Sequence, residues 1–198
     1  PPLRSSAASD VYKRQSLKDS FSLVREFRET NNNTPIVFMG YMNTFESLGA
    51  ELFMKEAFES GLDGILIVDM PPEESSDFSN QAKKVGIDII RLIAPTTSSN
   101  RAKKICAQCT GYVYYISVKG ITGASNIDSN EVKRKVSELR KHTDLPIAIG
   151  FGIKDAPSAS SVMDVGDGIV AGSVFVDLIG EGDNIIKKIA SKTKELYE

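Results

Sequence analysis

Six short apolar runs alternate with longer amphipathic segments along this chain, and this alternation restricts the fold more than any other feature. The runs begin about every 22 to 34 residues and occupy 35–41, 64–68, 87–93, 112–117, 146–149 and 168–171. A strand that is apolar on both faces is buried on both faces, which is typical of a parallel sheet covered by helices. The pattern therefore predicts an α/β fold with six βα units.

The segments between the runs have the sequence properties of helices. Apolar side chains recur at helical spacing among Lys, Arg and Glu, as Val132, Val136 and Leu139 do. Gly61 and Gly86 follow two of these segments, where a helix C-terminus favours glycine. We predict helices over 17–28, 45–60, 71–85, 100–108, 128–141 and 185–196.

Composition and charge narrow the class of partner. The 198 residues are 41% hydrophobic, which is enough for one domain with a sizeable core. A net charge of −2 gives no general attraction for nucleic acid or an anionic membrane, and no apolar run approaches the roughly 18 residues of a membrane span. Cys106, Cys109 and the single His142 are too few ligands for a zinc site. We therefore expect a cytoplasmic protein with no metal, no nucleic-acid partner and no membrane partner.

The opening segment, residues 1–15, differs from the rest of the chain. It is rich in Ser, Ala, Arg and Lys and has no apolar periodicity. We expect a non-native or disordered leader at 1–15, followed by a single domain at 16–198.

Three glycine-centred turns each follow an apolar run, at 120–123, 150–152 and 171–173. Backbone can approach an anion closely where no side chain intervenes, and helix N-termini offer unpaired N–H groups to it. In a (β/α)8 barrel, phosphate favours the loops after the last two strands, which is where the second and third turns lie. The turns predict a phosphate-binding protein and favour a barrel, although an open doubly wound sheet has the same local pattern.

Six motifs occur in the order of a known family. They are Y-M-N at 41–43, D-M-P-P-E-E at 69–74, A-P-T at 94–96, G-I-T-G-A at 120–124, G-F-G-I at 150–153 and A-G-S at 171–173. Together they resemble the tryptophan synthase α subunit over about residues 17–198. The resemblance implies a TIM-type (β/α)8 barrel that lacks its first two strands. It also implies a parent enzyme that cleaves indole-3-glycerol phosphate to indole and glyceraldehyde 3-phosphate.

The resemblance also implies substrate-binding residues. Backbone amides and one hydroxyl would hold the phosphate, aromatic side chains would line the indole pocket, and a threonine would lie on a mobile loop that closes over the substrate. The residues that match these roles are Gly123, Gly152, Gly172 and Ser173 for phosphate, Tyr41, Tyr114 and Phe151 for indole, and Thr122 on the loop.

One departure from the family decides the mechanism. The family's strand that ends in a glutamate, followed by a loop reading roughly P-F-S-D-P-x-A-D-G-P, is absent from this sequence. That segment supplies the catalytic glutamate and aspartate, so we nominate no catalytic residue and expect this chain alone to be inactive.

For Asp69, at a strand end, we favour a structural role that couples neighbouring loops. Two missing strands would also leave strand edges exposed, so we expect the chain to self-associate or partly unfold.

The implied partner is the β subunit, in an α2β2 tetramer. Pyridoxal phosphate belongs to that β subunit, and the α chain itself needs no cofactor. Two alternatives remain. One is another phosphate-binding barrel enzyme, such as indole-3-glycerol phosphate synthase or a histidine-pathway isomerase, although the stretch at 69–74 argues against a synthase. The other is a non-catalytic module that binds phosphorylated ligands.

Overall fold

The computed structural model describes residues 16–117, 129–150 and 152–197, and in these ranges strands and helices alternate along the chain. The strands are β1 (Val37–Gly40), β2 (Gly64–Ile67), β3 (Asp88–Ile93), β4 (Val113–Ile116), β5 (Ile147–Gly150) and β6 (Gly168–Val170). The helices are α1 (Leu17–Arg28), α2 (Met42–Glu46), α3 (Ala50–Ser60), α4 (Ser76–Val85), α5 (Ser99–Cys106), α6 (Ser129–Leu139), α7 (Ala156–Met163), α8 (Ser173–Gly180) and α9 (Ile185–Tyr197), with a 3-10 turn at Pro72–Glu74. The leader predicted at 1–15 and the turn predicted at 120–123 lie outside the described residues.

The chain divides into two compact units, one made of residues up to 92 with 108–111, the other of 93–107 with 112–198. In the first unit β1, β2 and β3 are parallel neighbours in sequence order. In the second unit β4, β5 and β6 are parallel neighbours in the same way. All six predicted strands are therefore present in the described residues, and the pairings within each unit are parallel.

Aromatic side chains form the core of the first unit. Phe21 of α1, Phe45 of α2, Phe53 of α3 and Phe78 of α4 are each at most 3% exposed. The Phe53 ring lies 5.5 Å from Phe21, 5.1 Å from Phe45 and 6.2 Å from Phe78, measured between ring centroids. Such ring pairs contribute about 0.5–1.5 kcal/mol each beyond the area they bury. The cluster holds four helices against β1, β2 and β3.

Aliphatic side chains dominate the core of the second unit. Val113, Ile147 and Ile149 of the strands are inaccessible to solvent. The predicted apolar stripe of α6 is confirmed, because Val132, Val136 and Leu139 are all at most 4% exposed.

Two aspartates tie the N-terminal ends of strands together in the same way, and we call each arrangement an aspartate clamp. In the first unit the Ile36 amide donates to the Asp63 carboxylate at 2.6 Å, and the Asp63 amide donates to the Ile36 carbonyl at 3.0 Å. In the second unit Ile147 and Asp167 exchange the same two bonds at 2.7 and 2.9 Å. An arginine at the end of an earlier helix pairs with each carboxylate. Arg28, the last residue of α1, pairs with Asp63, and Arg140, directly after α6, pairs with Asp167.

The predicted helix at 45–60 is wrong as a single helix. It is two helices, Met42–Glu46 and Ala50–Ser60, separated at Gly49. Gly49 has φ 76°, a left-handed conformation that breaks the helical hydrogen-bond ladder and that glycine adopts without strain. Gly61 and Gly86 do end their helices in the left-handed conformation, as predicted.

Two helices were not predicted from the sequence. The segment of α7 is made of small residues with weak periodicity, and that of α8 begins Ser-Val-Phe-Val, which resembles a strand locally. Within the described ranges, none of the helices combines the length and the apolar character needed to cross a membrane.

Candidate functional site

The turn after β6 leads into an uncapped helix N-terminus. Gly172 is the N-cap residue of α8, and its carbonyl accepts from the amides of Phe175 and Val176 at 3.0 and 3.2 Å. The first amides of a helix, here those of Ser173 and Val174, have no acceptor within the helix. A Cβ at Gly172 would meet no atom of the described residues within 4 Å. The exposed Ser173 hydroxyl lies at the same end.

The neighbouring turn, after β5, leads to a helix whose N-terminus is already filled. Asp155 caps α7: its carboxylate accepts from the Ser158 amide at 3.0 Å, and the Ser158 hydroxyl accepts from the Asp155 amide at 3.1 Å. The Ser158 side chain and amide hold the pKa of this carboxyl below its usual value, so the cap is negatively charged at neutral pH. An added anion would therefore favour α8 over α7.

Gly152 gives the β5 turn its shape. Its φ is 80°, which L residues with a side chain rarely adopt. Gly150 of β5 lies opposite Val170 of β6 in the strand register, so the two turns start side by side. The structure therefore brings the predicted phosphate turns at Gly152 and Gly172 to the same edge of the second unit.

Tyr114 packs onto the end of β5. It is 8% exposed, and a Cβ on Gly150 would collide with its ring and hydroxyl. Burial, followed by the nearby Tyr112, raises the pKa of the Tyr114 hydroxyl. This hydroxyl therefore stays protonated at neutral pH, where it can donate a hydrogen bond but does not act as a base.

Ser117 is a supporting residue that the sequence analysis did not single out. It is 1% exposed, and both its amide and its hydroxyl donate to the Gly150 carbonyl, at 2.8 and 2.9 Å. These two bonds fix the last carbonyl of β5 just before the turn. The signal in the sequence was a hydroxyl residue at the end of an otherwise apolar run.

The first unit contributes Tyr41 and Asp69. Tyr41 is the N-cap residue of α2 and is 52% exposed. The Asp69 carboxylate accepts from the Met42 amide at 2.7 Å, which joins the loop after β2 to the loop after β1. This bond supports the structural role favoured for Asp69. Three predicted site residues, Thr122, Gly123 and Phe151, lie outside the described residues.

Arg91 is a second residue that sequence reasoning missed. It is 3% exposed, and its guanidinium donates to the Met70 carbonyl at 3.4 Å and to the Ser79 hydroxyl at 3.2 Å. Burial lowers the pKa of this guanidinium. The signal was a basic residue between the isoleucines and Leu92 of the apolar run 87–93. Arg91 is on β3 and its side chain reaches Ser79 of α4, so we assign it to the packing of the first unit.

The fold and the turns define an α/β protein in which an uncapped helix N-terminus follows the last strand of the described residues. The chain matches the family model described as "Tryptophan synthase alpha chain" over residues 1–198. It belongs to the tryptophan synthase alpha chain family, an enzyme family of the lyase class.

Curated relatives support this assignment. The alpha chain of Paraburkholderia phytofirmans is 46% identical over 164 residues, which is 83% of this chain and 61% of the relative. That of Thiobacillus denitrificans is 47% identical over 163 residues, 82% of this chain and 60% of the relative. This chain thus spans about 60% of the length of these relatives.

Solved structures agree in fold. A structure described as the tryptophan synthase α2β2 complex of Pyrococcus furiosus matches 100% of this chain and 82% of its own, with a TM-score of 0.86 and 32% identity. Tryptophan synthase subunit alpha of Legionella pneumophila matches 83% of this chain and 60% of its own, with a TM-score of 0.73 and 36% identity. The predicted fold class, a TIM-type (β/α) fold with six βα units in this chain, is confirmed.

Proposed function

We propose that this chain is the phosphate-binding part of a tryptophan synthase alpha subunit, whose reaction cleaves indole-3-glycerol phosphate to indole and glyceraldehyde 3-phosphate. The observation that carries the proposal is the uncapped N-terminus of α8, directly after β6. Its first amides and the Ser173 hydroxyl are donors for phosphate oxygens, and the helix dipole favours the negative charge. The amides of the turn around Gly152 supply further donors from the side of β5.

In this proposal the indole end of the substrate contacts Tyr114. Tyr114 lies against Gly150, so a ligand whose phosphate sits at α8 extends its apolar part towards this ring. Phe151 and Thr122 are assigned to the same ligand on the strength of the family resemblance alone. Tyr41 is assigned to the indole pocket on the same basis.

Catalysis is not assigned to any residue of this chain. Cleaving the carbon–carbon bond requires protonating the indole ring and deprotonating an alcohol, and positioned acid–base groups contribute about 10²- to 10⁴-fold each. The family's glutamate and aspartate motif does not occur in this sequence. We therefore propose that this chain binds the substrate and that cleavage needs the segment that carries those carboxylates.

The phosphate site can be tested by charge reversal at the helix start. Ser173→Asp places a carboxylate at the α8 N-terminus, where it suits the helix dipole but repels phosphate. Isothermal titration calorimetry with inorganic phosphate is expected to show binding to the unchanged chain and at least tenfold weaker binding to the variant.

The matched control is Ser76→Asp, the same change at the first residue of α4. Ser76→Asp is expected to leave phosphate binding unchanged, and both variants are expected to keep the thermal midpoint of the unchanged chain. Equal phosphate binding by the chain and Ser173→Asp would reject the site.

We further propose a β subunit as the protein partner, in an α2β2 assembly, with pyridoxal phosphate held by that subunit and no cofactor in this chain. The description of the Pyrococcus furiosus structure as an α2β2 complex supports this. A cytoplasmic location goes with the same proposal. Co-elution with a purified tryptophan synthase beta chain in gel filtration tests the partner, and elution of the two chains as separate peaks would count against it.

A further inference from the structure

Arg91 is a buried cation with an incomplete set of partners. It is 3% exposed, and its Nε–H group has no hydrogen-bond acceptor among the described residues. Its other two nitrogens donate to the Met70 carbonyl and the Ser79 hydroxyl, which are both neutral groups. A buried charge is costly unless an opposite charge accompanies it, so we expect an anion close to this guanidinium.

The carboxylates around Arg91 do not supply that anion. Among the ion pairs of the described residues, none includes Arg91. The charged residues on the surrounding elements of the first unit are Asp69, Glu73 and Glu74 in the loop after β2, Asp77, Lys83 and Lys84 on α4, and Asp88 on β3. The opposite charge must therefore come from another kind of side chain.

Cys109 follows a residue that is fixed to the 3-10 turn. The side-chain amide of Gln108 donates to the Pro72 carbonyl at 2.9 Å and accepts from the Ser75 hydroxyl at 3.0 Å. Ser75 is inaccessible to solvent. The chain just before Cys109 is therefore held against the loop that also contains the carbonyl acceptor of Arg91.

The residue after Cys109 is fixed to β3. The Thr110 amide donates to the Ile89 carbonyl at 3.0 Å, and the Ile89 amide donates to the Thr110 hydroxyl at 2.9 Å. This places Cys109 alongside β3, close to the part of the strand that carries Arg91. Burial lowers the pKa of Arg91, whereas the charge of Cys109 raises it, as expected for a thiolate beside a cation.

The second cysteine, Cys106, is buried to a similar extent but lies in a different electrostatic environment. Cys106 is 4% exposed and Cys109 is 8% exposed, and neither forms a disulfide. Cys106 is the last residue of α5, where the helix dipole disfavours a negative charge. Burial raises the pKa of its thiol, so Cys106 stays protonated at neutral pH.

We propose that the Cys109 thiolate is the anionic partner of Arg91 and that Cys109 is a site of oxidation by hydrogen peroxide. The thiolate sulfur attacks one peroxide oxygen, the O–O bond breaks and hydroxide leaves, so the product is a sulfenic acid. The new oxygen is an acceptor for the Nε–H group of Arg91. Peroxide is small and uncharged, as access to a side chain with 8% exposure requires. This inference does not depend on the phosphate site.

Two single-cysteine variants test which thiol reacts. Cys106→Ser leaves only Cys109, and Cys109→Ser leaves only Cys106. Each folded variant is treated with hydrogen peroxide at neutral pH, and the remaining thiol is measured with a chromogenic aromatic disulfide after unfolding in guanidinium chloride. Because the thiolate is the nucleophile, Cys109 is expected to be oxidised at least tenfold faster than Cys106. Equal rates would overturn the proposal.

Substitutions of Arg91 in the Cys106→Ser chain test the role of its charge. Arg91→Met removes the charge and is expected to slow the oxidation of Cys109 at least tenfold, whereas Arg91→Lys keeps the charge and is expected to keep most of the rate. The matched control is Arg25→Met, which removes an arginine that pairs with Glu56 and should leave the rate unchanged. An unchanged rate in Arg91→Met, or an equal loss in Arg91→Lys, would overturn the proposal.

The pH dependence of the rate tests the proposal without any change at Arg91, so it decides the matter even if Arg91→Met fails to fold. The thiolate fraction of an ordinary cysteine falls about 75-fold between pH 8 and pH 6. In the Cys106→Ser chain the oxidation rate is expected to fall less than about threefold over this range, because the thiolate is already formed. A fall as large as that of an ordinary cysteine would overturn the proposal.

Discussion

At the scale of single residues, the end of β5 depends on the absence of a side chain at Gly150. The Tyr114 ring and hydroxyl occupy the position that a Cβ would take, and Ser117 holds the Gly150 carbonyl through two hydrogen bonds. The turn that contains Gly152 begins directly after this point. Tyr114 therefore has a packing role in addition to its proposed contact with substrate.

Gly150→Ala is expected to destabilise the chain by about 1–3 kcal/mol, because overpacking forces a buried ring to move. Gly168→Ala is the control, since a Cβ there meets nothing within 4 Å, and we expect it to change stability by less than about 0.5 kcal/mol. Urea unfolding measures both. The Gly150→Ala cost should fall when Tyr114→Leu is also present, and an unchanged cost in that double variant would contradict the packing role.

At the scale of elements, the two aspartate clamps have the same pair of hydrogen bonds and one arginine partner each at two strand starts. Asp63 and Asp167 each precede a Gly-Ile pair that begins a strand. Each binds the isoleucine that follows a proline at the start of an earlier apolar run. The clamps lie at the N-terminal strand ends, which in barrels serve stability while the C-terminal ends carry the site. Their paired amides and arginines fix the spacing of neighbouring strands.

The Asp167 clamp predicts a specific pH dependence. The Ile147 amide, and then Arg140, lower the pKa of the Asp167 carboxyl below its usual value. A lowered folded-state pKa gives stability that is present above the unfolded-state value of about 3.9 and is lost as pH falls through the folded-state value. Asp167→Asn is expected to cost about 1 kcal/mol at neutral pH, since the carboxylate is partly exposed.

The cost of Asp167→Asn should shrink below about pH 4, because the carboxyl of the unchanged chain then becomes protonated. Urea unfolding between neutral and acidic pH measures the difference between the two chains. Asp164→Asn, at the exposed C-cap of α7, is the control and should show no such trend. A cost for Asp167→Asn that stays constant down to strongly acidic pH would contradict the clamp.

The sequence was enough to predict elements with a clear period or clear boundaries. Leu17–Arg28 forms the helix predicted for it because Ser16 caps the start through Asp19 and the apolar face is regular. The break at Gly49 was missed because a single glycine inside a helical pattern is tolerated, so its positive φ cannot be recognised from the local sequence. α8 was missed because β-branched and aromatic residues at its start favour a strand locally.

Prediction of the site was limited in the same way. Gly172 and Ser173 were predicted as site residues because glycine at a strand end is visible in a sequence. Ser117 was not found, because its role comes from a long-range contact with Gly150 that no local pattern encodes. Arg91 was missed for the same reason, since its contacts with Met70 and Ser79 join separate segments.

At the scale of the whole molecule, the chain combines the fold of the tryptophan synthase alpha family with about 60% of the length of its curated relatives. The strand-end turns that suit phosphate are present, and the family's acid–base motif is not in the sequence. We therefore propose that this chain binds the substrate without cleaving it.

Binding of indole-3-glycerol phosphate to this chain tests the central claim most directly. The chain contains no Trp, so the indole of the ligand can be excited without background from the protein. The account predicts that the fluorescence anisotropy of the ligand rises on binding, that inorganic phosphate reverses the rise, and that no indole is released. An anisotropy that stays at the value of the free ligand, or release of indole above the rate in buffer, would contradict it.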